Sequence, residues 1–243
     1  MSEPLLSVAE ARARLLSHFD VLDAQPVLLE EAPGRVLAED IFAAENIPPF
    51  ANSSMDGYAV RAADVAGVRG DCPAALPVSG DIPAGAALPV PALPPGAAAR
   101  IMTGAPLPPG ADAVVPVELT DDPRRGSGGP PPSEVRVRKA VHPGENVRVE
   151  GEDLRAGALA LAAGCVIRPQ EVGVLAALGR KAARVVRRPV VAVLSTGDEL
   201  LGVDESITPG KIRDVNGQTL PALIARYGGA TLHLGIAKDN AEE

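Results

Sequence analysis

Residues 188–195 read RPVVAVLS, a nearly continuous apolar run that is typical of a strand buried on both faces of a sheet. Further along, GQTLPALIARYG (217–228) has a helical pattern that Asn216 can cap, and ATLHLGIAKD (230–239) returns to a strand pattern. A strand, a helix and a second strand in one sheet predict a parallel pair joined by a right-handed crossover. This stretch therefore predicts an α/β unit.

Polar loops follow both predicted strands. The loops carry Ser195, Thr196, Asp198, Glu199, Lys238 and Asp239. Parallel strands end at the same edge of their sheet, and open α/β sheets bind ligands at that edge. These side chains are therefore candidates for one binding crevice; the alternative is that they are ordinary solvated loop residues.

The sequence between Gly34 and Ala140 has a different character. Short strand-like pieces alternate with Pro/Gly turns in RVLAEDIFA, ARIMTGAP, DAVVPVE and EVRVRKA, so we expect an all-β stretch. Within it, the glycine-rich segment 121–134 lacks the preceding strand and following helix that a phosphate loop requires. We interpret that segment as a mobile hairpin loop.

Two helices are predicted on either side of this stretch. Ser7 and Glu10 form a Ser-x-x-Glu capping box at the start of the first helix. Apolar residues then recur at helical spacing through residues 7–22, namely Val8, Leu15, Phe19 and Leu22. We expect that face to pack on another part of the protein. The segment RPQEVGVLAALG predicts the second helix, with Pro169 in its first turn and Gly179 as its stop.

The composition excludes several classes of function. A formal net charge of −8, a pI near 5.0 and only Trp 0, Tyr 2 and Phe 3 argue against nucleic-acid binding. The sequence has no apolar run of about 18 residues and no basic leader, so we expect no membrane contact. Cys72 and Cys165 have no metal-site spacing. We therefore expect a soluble cytoplasmic protein with reduced cysteines.

The segment PPFANSSMDGYAV (48–60) places a single carboxylate, Asp56, at the tip of a tight turn. Ser53, Ser54 and Gly57 supply the small residues that such a turn needs. One interpretation is an Asp side chain that caps its own turn. The other is a carboxylate presented on a rigid support to a binding site.

Five segments occur in a specific order along the chain: PPFANSSMDGYAV, RIMTGAPLPPGADAVVPVE, NVRVEGEDL, VVAVLSTGDEL and GKIRDVNGQTL. Together they resemble the molybdopterin molybdenumtransferases of molybdenum cofactor biosynthesis, the MoeA family, to which the E domain of gephyrin is also similar. The resemblance implies a multidomain α/β plus β protein. It implies a linker domain in two segments (1–48 and 143–183), an inserted all-β domain (49–142), and the start of a parallel-sheet α/β molybdopterin-binding domain (184–243). The first helix would then pack beside residues 143–183.

The resemblance also implies a reaction, the insertion of molybdate into adenylylated molybdopterin with Mg²⁺ as cofactor and release of AMP. The positions that match the family's catalytic residues are Asp56, Thr103, Asp153 and Glu199. Substrate binding is assigned to Ser195, Thr196 and Asp239, and Mg²⁺ binding to Glu199 and Asp239. The electrostatic repulsion between a carboxylate and an anionic substrate about 4 Å away is roughly 4 kcal/mol at an effective dielectric of 20. A cation that bridges the two groups replaces this repulsion with attraction.

Partners and alternatives follow from the same resemblance. It implies a homodimer in which the β domain of one subunit faces the site of the other, and the molybdopterin adenylyltransferase is a second candidate partner. Further anion-binding motifs and a C-terminal domain of the family are expected after Glu243, so this chain alone is expected to be incomplete for turnover.

The alternative is a truncated, non-catalytic scaffold or interaction module of the same family. A hydrolase based on Ser195 is disfavoured, because VLSTG lacks the glycine two places before the serine.

Overall fold

The computed structural model describes residues 6–122 and 129–239. In chain order its first elements are α1 (Val8–Leu16), β1 (Ala24–Leu28), β2 (Ile41–Phe42), β3 (Asn52–Ser53), β4 (Gly57–Val60), β5 (Ala74–Ile82), β6 (Ala98–Ile101), β7 (Ala113–Pro116) and β8 (Glu134–Val137). They are followed by β9 (Val147–Arg148), β10 (Leu159–Leu161), α2 (Pro169–Ala177), β11 (Ala182–Val186), β12 (Val190–Thr196), β13 (Leu200–Leu201), β14 (Ile212–Arg213), α3 (Asn216–Arg226) and β15 (Ala230–Ala237). The chain forms two compact units: the β unit (Phe42–Ala160), and the split unit, which comprises the described parts of Met1–Ile41 and Leu161–Glu243.

The β unit is built around a five-stranded sheet in the order β7-β4-β6-β5-β8. β5 and β6 run parallel, and the other neighbouring strands are antiparallel. Between Gly34 and Ala140 the described residues contain strands and short 3₁₀ turns but no α-helix, so the all-β expectation is confirmed.

Strand β4 lies inside this sheet and is buried along its whole length. Because side chains alternate across a strand, Tyr58 and Val60 enter the core on one face of the sheet, whereas Ala59 enters the core on the other. A strand that contributes to two cores has little freedom to move. The residues just before it are consequently held by a rigid element.

The split unit has its own core around β1, β11 and α2. β1 and β11 are antiparallel, and Leu37, Ile167, Leu175 and Val185 are fully buried between these elements. Helix α2 begins at Pro169 and is followed by Gly179 at a φ of 70°. Both boundary predictions for this helix are confirmed.

The predicted strand–helix–strand unit is also confirmed. β12 and β15 are parallel, with Thr196 opposite Ala237, and α3 connects them. Two details of the prediction are wrong. The Asp214 carboxylate, not the Asn216 side chain, accepts the N–H of Gly217 at the start of α3 (2.8 Å). Strand β12 is not buried on both faces, since Val190 is 61% exposed, because this sheet has two strands and one helix to cover it.

Helix α1 is shorter than its apolar pattern predicts. The capping box is confirmed, because Glu10 accepts the N–H of Ser7 (2.9 Å) and Ser7 accepts that of Glu10 (3.2 Å). However, α1 ends at Leu16 and buries none of its residues, and Phe19, beyond its end, is 73% exposed. The packing expected for this face is therefore absent among the described residues, and without burial a helix is not stabilised far beyond its cap.

Three further expectations concern the domain boundaries, the glycine-rich segment and membrane contact. The domain boundaries after residues 48, 142 and 183 stay predictions. The mobile hairpin loop predicted at 121–134 includes residues 123–128, which lie outside the described residues. Every helix in the described part of the chain is too short or too polar to cross a membrane.

Candidate functional site

The turn that carries Asp56 connects β3 to β4 and is held by its own backbone and side-chain contacts. The Ser53 hydroxyl donates to the carbonyl of Met55 (2.6 Å) and accepts the N–H of Met55 (3.2 Å). The carbonyl of Asp56 accepts the N–H of Val117 (3.0 Å). These contacts fix the backbone of Asp56 without using its carboxylate, so the turn does not need that carboxylate as a cap.

The Asp56 carboxylate instead contacts Thr103, which lies in the turn after β6. Oδ1 of Asp56 accepts both the Thr103 backbone N–H (2.7 Å) and the Thr103 hydroxyl (2.7 Å). The hydroxyl and then the N–H of Thr103 lower the pKa of Asp56 below its usual value, because both donors favour the charged form. Both residues are exposed. The pair is therefore an ionised carboxylate held at the surface with a fixed orientation.

Gly57 explains why the chain can turn at this place. A Cβ atom at this position would overlap the carbonyl oxygen of Val115, because β4 passes very close to β7 here. Behind it, the fully buried Tyr58 donates its hydroxyl to Asp122 (2.8 Å). Burial, followed by that hydrogen bond, raises the pKa of Tyr58, so this residue is a neutral anchor for the start of β4.

Thr103 is held by contacts on both sides. The N–H of Gly104 donates to the carbonyl of Ser53 (2.8 Å), which ties the Thr103 turn directly to the Asp56 turn. Before it, the buried Arg100 forms a two-pronged contact with Asp81 (2.8 and 2.7 Å). The charge of Arg100 is thus neutralised by Asp81 within the β unit.

Asp153 is placed differently. Its carboxylate forms an ion pair with Arg148, which lies opposite Asn52 in the β3–β9 pair. The N–H of Asp153 donates to the carbonyl of Ile47 (3.0 Å). No hydrogen bond in the described part of the chain joins Asp153 to the Asp56–Thr103 pair, so the structure brings two of these three β-unit residues together.

The remaining predicted site residues lie in the split unit, at the ends of β12 and β15. The parallel register places Ser195 opposite Ile236 and Thr196 opposite Ala237. In the loops that follow, the N–H of Asp239 lies 3.4 Å from Oδ1 of Asp198. The expectation that both loops meet at one edge is confirmed by this contact.

No hydrogen bond joins Glu199 to Asp239 in the described part of the chain. The Glu199 carboxylate lies over Gly197, where an added Cβ would come within 2.6 Å of Glu199 Oε2. Among the loop acids, Asp198 is therefore the direct neighbour of Asp239. The sequence placed Asp198 in this loop but gave it no role, because spacing alone does not tell which of two adjacent acids faces the crevice.

Asp214 is the residue that sequence reasoning missed. It is 8% exposed, and the hydroxyl of Ser195, followed by the N–H of Gly217, lowers its pKa. It lines a cavity of about 190 Å³ together with Val193 and His233. Asp214 stands two residues before α3, and an Asp shortly before an apolar helical pattern is a capping signal that would have identified it.

The crevice acids suit a hard cation of the kind that is shared with a phosphate. Mg²⁺ is usually bound by one or two carboxylates and completed by water and phosphate oxygens. Asp198, Glu199 and Asp239 supply oxygen donors at one sheet edge. Residues 6–122 and 129–239 contain no preformed group of three or more His, Cys, Asp or Glu side chains arranged around a metal. The donor set fits a magnesium ion held jointly with a substrate, and the assignment of Glu199 and Asp239 stays a prediction.

Comparisons with known proteins agree with the order of these segments. The family described as MoeA N-terminal region (domain I and II) matches residues 6–179, and the probable molybdopterin binding domain matches residues 192–243. The chain is 42% identical over 217 residues to molybdopterin molybdenumtransferase 2 of Mycobacterium tuberculosis. The aligned region covers 89% of this chain and 51% of that protein. It is 37% identical over 239 residues to molybdopterin molybdenumtransferase of Staphylococcus epidermidis, covering 98% and 55%.

A solved structure gives the same result for the fold. The molybdopterin biosynthesis moeA protein from Pyrococcus horikoshii OT3 superposes with a TM-score of 0.85 at 34% identity, covering 98% of this chain and 62% of that one. The chain spans about half the length of the curated relatives it matches.

Proposed function

This chain belongs to the MoeA family, and on that premise we propose that it takes part in molybdenum cofactor biosynthesis by inserting molybdate into adenylylated molybdopterin with release of AMP. One observation carries the proposal: the exposed Asp56 carboxylate is held in a fixed orientation by two hydrogen bonds from Thr103, although the turn does not need it. An acid kept charged and oriented at a surface is typical of a functional group rather than a structural one.

Asp56 would act by accepting a hydrogen bond from the substrates. Its Oδ1 is already occupied by Thr103, and Oδ2 accepts no hydrogen bond from the residues that the structure describes. A charged carboxylate attracts a donor such as a protonated oxygen of molybdate or an N–H of the pterin, and repels a bare oxyanion. We assign Asp56 to binding and orienting the group that reacts, and Thr103 to fixing Asp56.

The crevice of the split unit would bind the phosphate end of the substrate. Thr196 provides a hydroxyl donor at the end of β12, and Asp239 and Glu199 provide carboxylates in the loops that follow the two strands. The Ser195 hydroxyl is engaged by Asp214, so Ser195 would bind the substrate only by exchanging that contact. Mg²⁺ bound by Glu199 and Asp239 would supply positive charge to the phosphate oxygens. Without a cation these carboxylates repel the substrate, so we expect binding at this crevice to need one.

We also propose a homodimer in which the β unit of one subunit completes the site of the other. The exposed apolar residues of the N-terminal segment support an association surface, because Val8 is 88% exposed and Phe19 is 73% exposed. Light scattering at micromolar concentration would test this, and monomer mass alone would rule it out. A cytoplasmic location and an encounter with the molybdopterin adenylyltransferase belong to the same proposal.

The test of the reaction extends this chain with the remaining half of a curated relative, to give a chimera of the relatives' length. We expect molybdate-dependent AMP release from adenylylated molybdopterin by the chimera, and its loss when Asp56→Asn is introduced. A folded, dimeric chimera that never releases AMP would instead support a non-catalytic interaction module of the family. Retained AMP release by the Asp56→Asn chimera would show that Asp56 is not part of the functional site.

A further inference from the structure

A strongly basic segment of the split unit has no role in the proposed reaction. Residues 180–188 read RKAARVVRR and contain no acid, whereas the whole chain has a formal net charge of −8. The five basic residues are all exposed and form what we call the basic strip: Arg180, Lys181, Arg184, Arg187 and Arg188. The net charge of the whole chain, which argues against nucleic-acid binding, conceals this basic segment.

The fold holds the middle of the basic strip in an extended conformation. Its centre is β11, where Ala183 and Val185 are buried and Arg184 between them is exposed. At a rise of about 3.3 Å per residue, nine fully extended residues would span at most about 26 Å. Both edges of β11 are used, because one pairs with β1 and the other bonds to residues 36–38. A partner therefore cannot add a strand here and must bind through the side chains.

The basic strip forms no ion pair with any of the residues that the structure describes. None of its five side chains has an acidic group within 4.0 Å among residues 6–122 and 129–239. Next to it, the buried Arg35 donates to the carbonyl of Val186 (3.0 Å). Burial and then the charge of Arg188 lower the pKa of Arg35, while Glu31 opposes that change. Like charges therefore repel one another at this surface, and an anionic partner would relieve the repulsion.

A cavity lies at one end of the basic strip. It is a shallow depression that is open to solvent, with a volume of about 510 Å³; Leu28, Leu29 and Ala176 form its apolar surface, and Arg180, Lys181 and Glu30 line it as well. Leu28 is 51% exposed, so apolar surface is accessible directly beside two cations. A simple polyanion would leave such a cavity unfilled.

We propose that the basic strip and this cavity dock an acidic segment of a partner protein, which inserts an apolar side chain between Leu28, Leu29 and Ala176 and lays its carboxylates along the strip. A protein fits better than a nucleic acid, because base stacking needs aromatic side chains and the strip contains none. Charge complementarity of this kind sets partner choice and association rate, and an apolar side chain in a cavity supplies affinity.

The experiment uses a fluorescent peptide of about ten residues, a length that spans the strip when extended, with one leucine among glutamates. Its anisotropy is measured with the full chain at low ionic strength and again at about 0.3 M salt, where surface charges are screened. The test variant is R184E/R187E/R188E. The matched control is R136E/R138E/K139E, which reverses three exposed basic residues at β8 of the β unit. Far-ultraviolet circular dichroism checks folding, and R184Q/R187Q/R188Q replaces the first variant if it misfolds.

We expect the test variant to bind the peptide about tenfold or more weakly, because three attractive charge pairs become repulsive, and the control variant to bind like the unmodified chain. Replacing the leucine of the peptide with serine should also weaken binding. Equal binding by the test variant, or equal binding of the serine peptide, would overturn the proposal. Tighter binding of a single-stranded oligonucleotide than of the peptide would assign the strip to nucleic acid instead. None of these results depends on molybdate insertion.

Discussion

Asp56 and Thr103 show how a single residue can be separated from the fold that carries it. The backbone of Asp56 is fixed by Ser53 and Val117, and its carboxylate is fixed by Thr103 through one oxygen. The second carboxylate oxygen accepts no hydrogen bond from the described residues. The two alternatives for this turn can thus be told apart by experiment, because a functional acid and a capping acid respond differently to loss of charge.

Asp56→Asn should change the free energy of unfolding by at most about 1 kcal/mol, because an amide oxygen still accepts from Thr103. In the extended chimera the same change should lower AMP release at least about tenfold, the loss expected when a charged partner of the reacting group is removed. The matched control is Asp121→Asn, because Asp121 is also exposed and accepts a backbone N–H, that of Arg136 (2.8 Å). A large loss of stability in Asp56→Asn alone would favour the capping role.

Asp214 gives a pH-dependent prediction at the same scale. Its folded-state pKa lies below the usual value, first because of the Ser195 hydroxyl and then because of the Gly217 N–H. The stabilisation is therefore complete above the unfolded pKa of about 3.9 and is lost as pH falls through the folded pKa. In Ser195→Ala we expect the Asp214 pKa to rise and the stability at neutral pH to fall by about 1 kcal/mol. Carboxyl titration by NMR measures the change in pKa, and denaturant unfolding measures the change in stability. An unchanged pKa would show that the Ser195 hydroxyl does not hydrogen-bond to Asp214.

At the scale of elements, a close approach between strands explains the position of a glycine. Gly57→Ala should destabilise the β unit by about 2 kcal/mol or more, because its Cβ would overlap the Val115 carbonyl and push β4 from β7. Gly80→Ala on β5 is the matched control, since its Cβ would lie 3.8 Å from the Ala99 Cβ, an ordinary contact. Urea unfolding measures the free energy of unfolding of both variants. Equal stability of the two variants would show that β4 can shift away from β7 at little cost.

The elements that sequence predicts well are those whose signals are local. Pro169 and Gly179 bound α2, and the apolar runs of β12 and β15 identify a parallel pair, because caps and periodicity act through neighbouring residues. The end of α1 was mispredicted, since Phe19 follows the helical spacing but finds nothing to pack on. The ion pair that engages Asp153 and the cap by Asp214 were missed as well. Those depend on which side chains the folded chain brings together, and spacing does not give that.

At the scale of the whole chain, the strand–helix–strand portion should be less stable than the β unit. All four residues of β4 are buried, whereas in the other sheet Leu194 is 50% exposed, Leu232 is 52% exposed and Leu234 is 54% exposed. A strand pair that buries so little apolar surface opens locally at a lower free energy than a strand within a two-sided core.

Amide hydrogen exchange followed by mass spectrometry measures that difference directly. We expect residues 190–196 and 230–237 to exchange at least about tenfold faster than residues 57–60 and 98–101, because local opening of the two-stranded sheet is easier. In the extended chimera, exchange in 190–196 and 230–237 should slow if the added half covers the exposed leucines, while exchange in 57–60 stays the same. Equal protection of both sheets in the unextended chain would show that α3 alone stabilises the two-stranded sheet. The exposed leucines would then be ordinary surface residues.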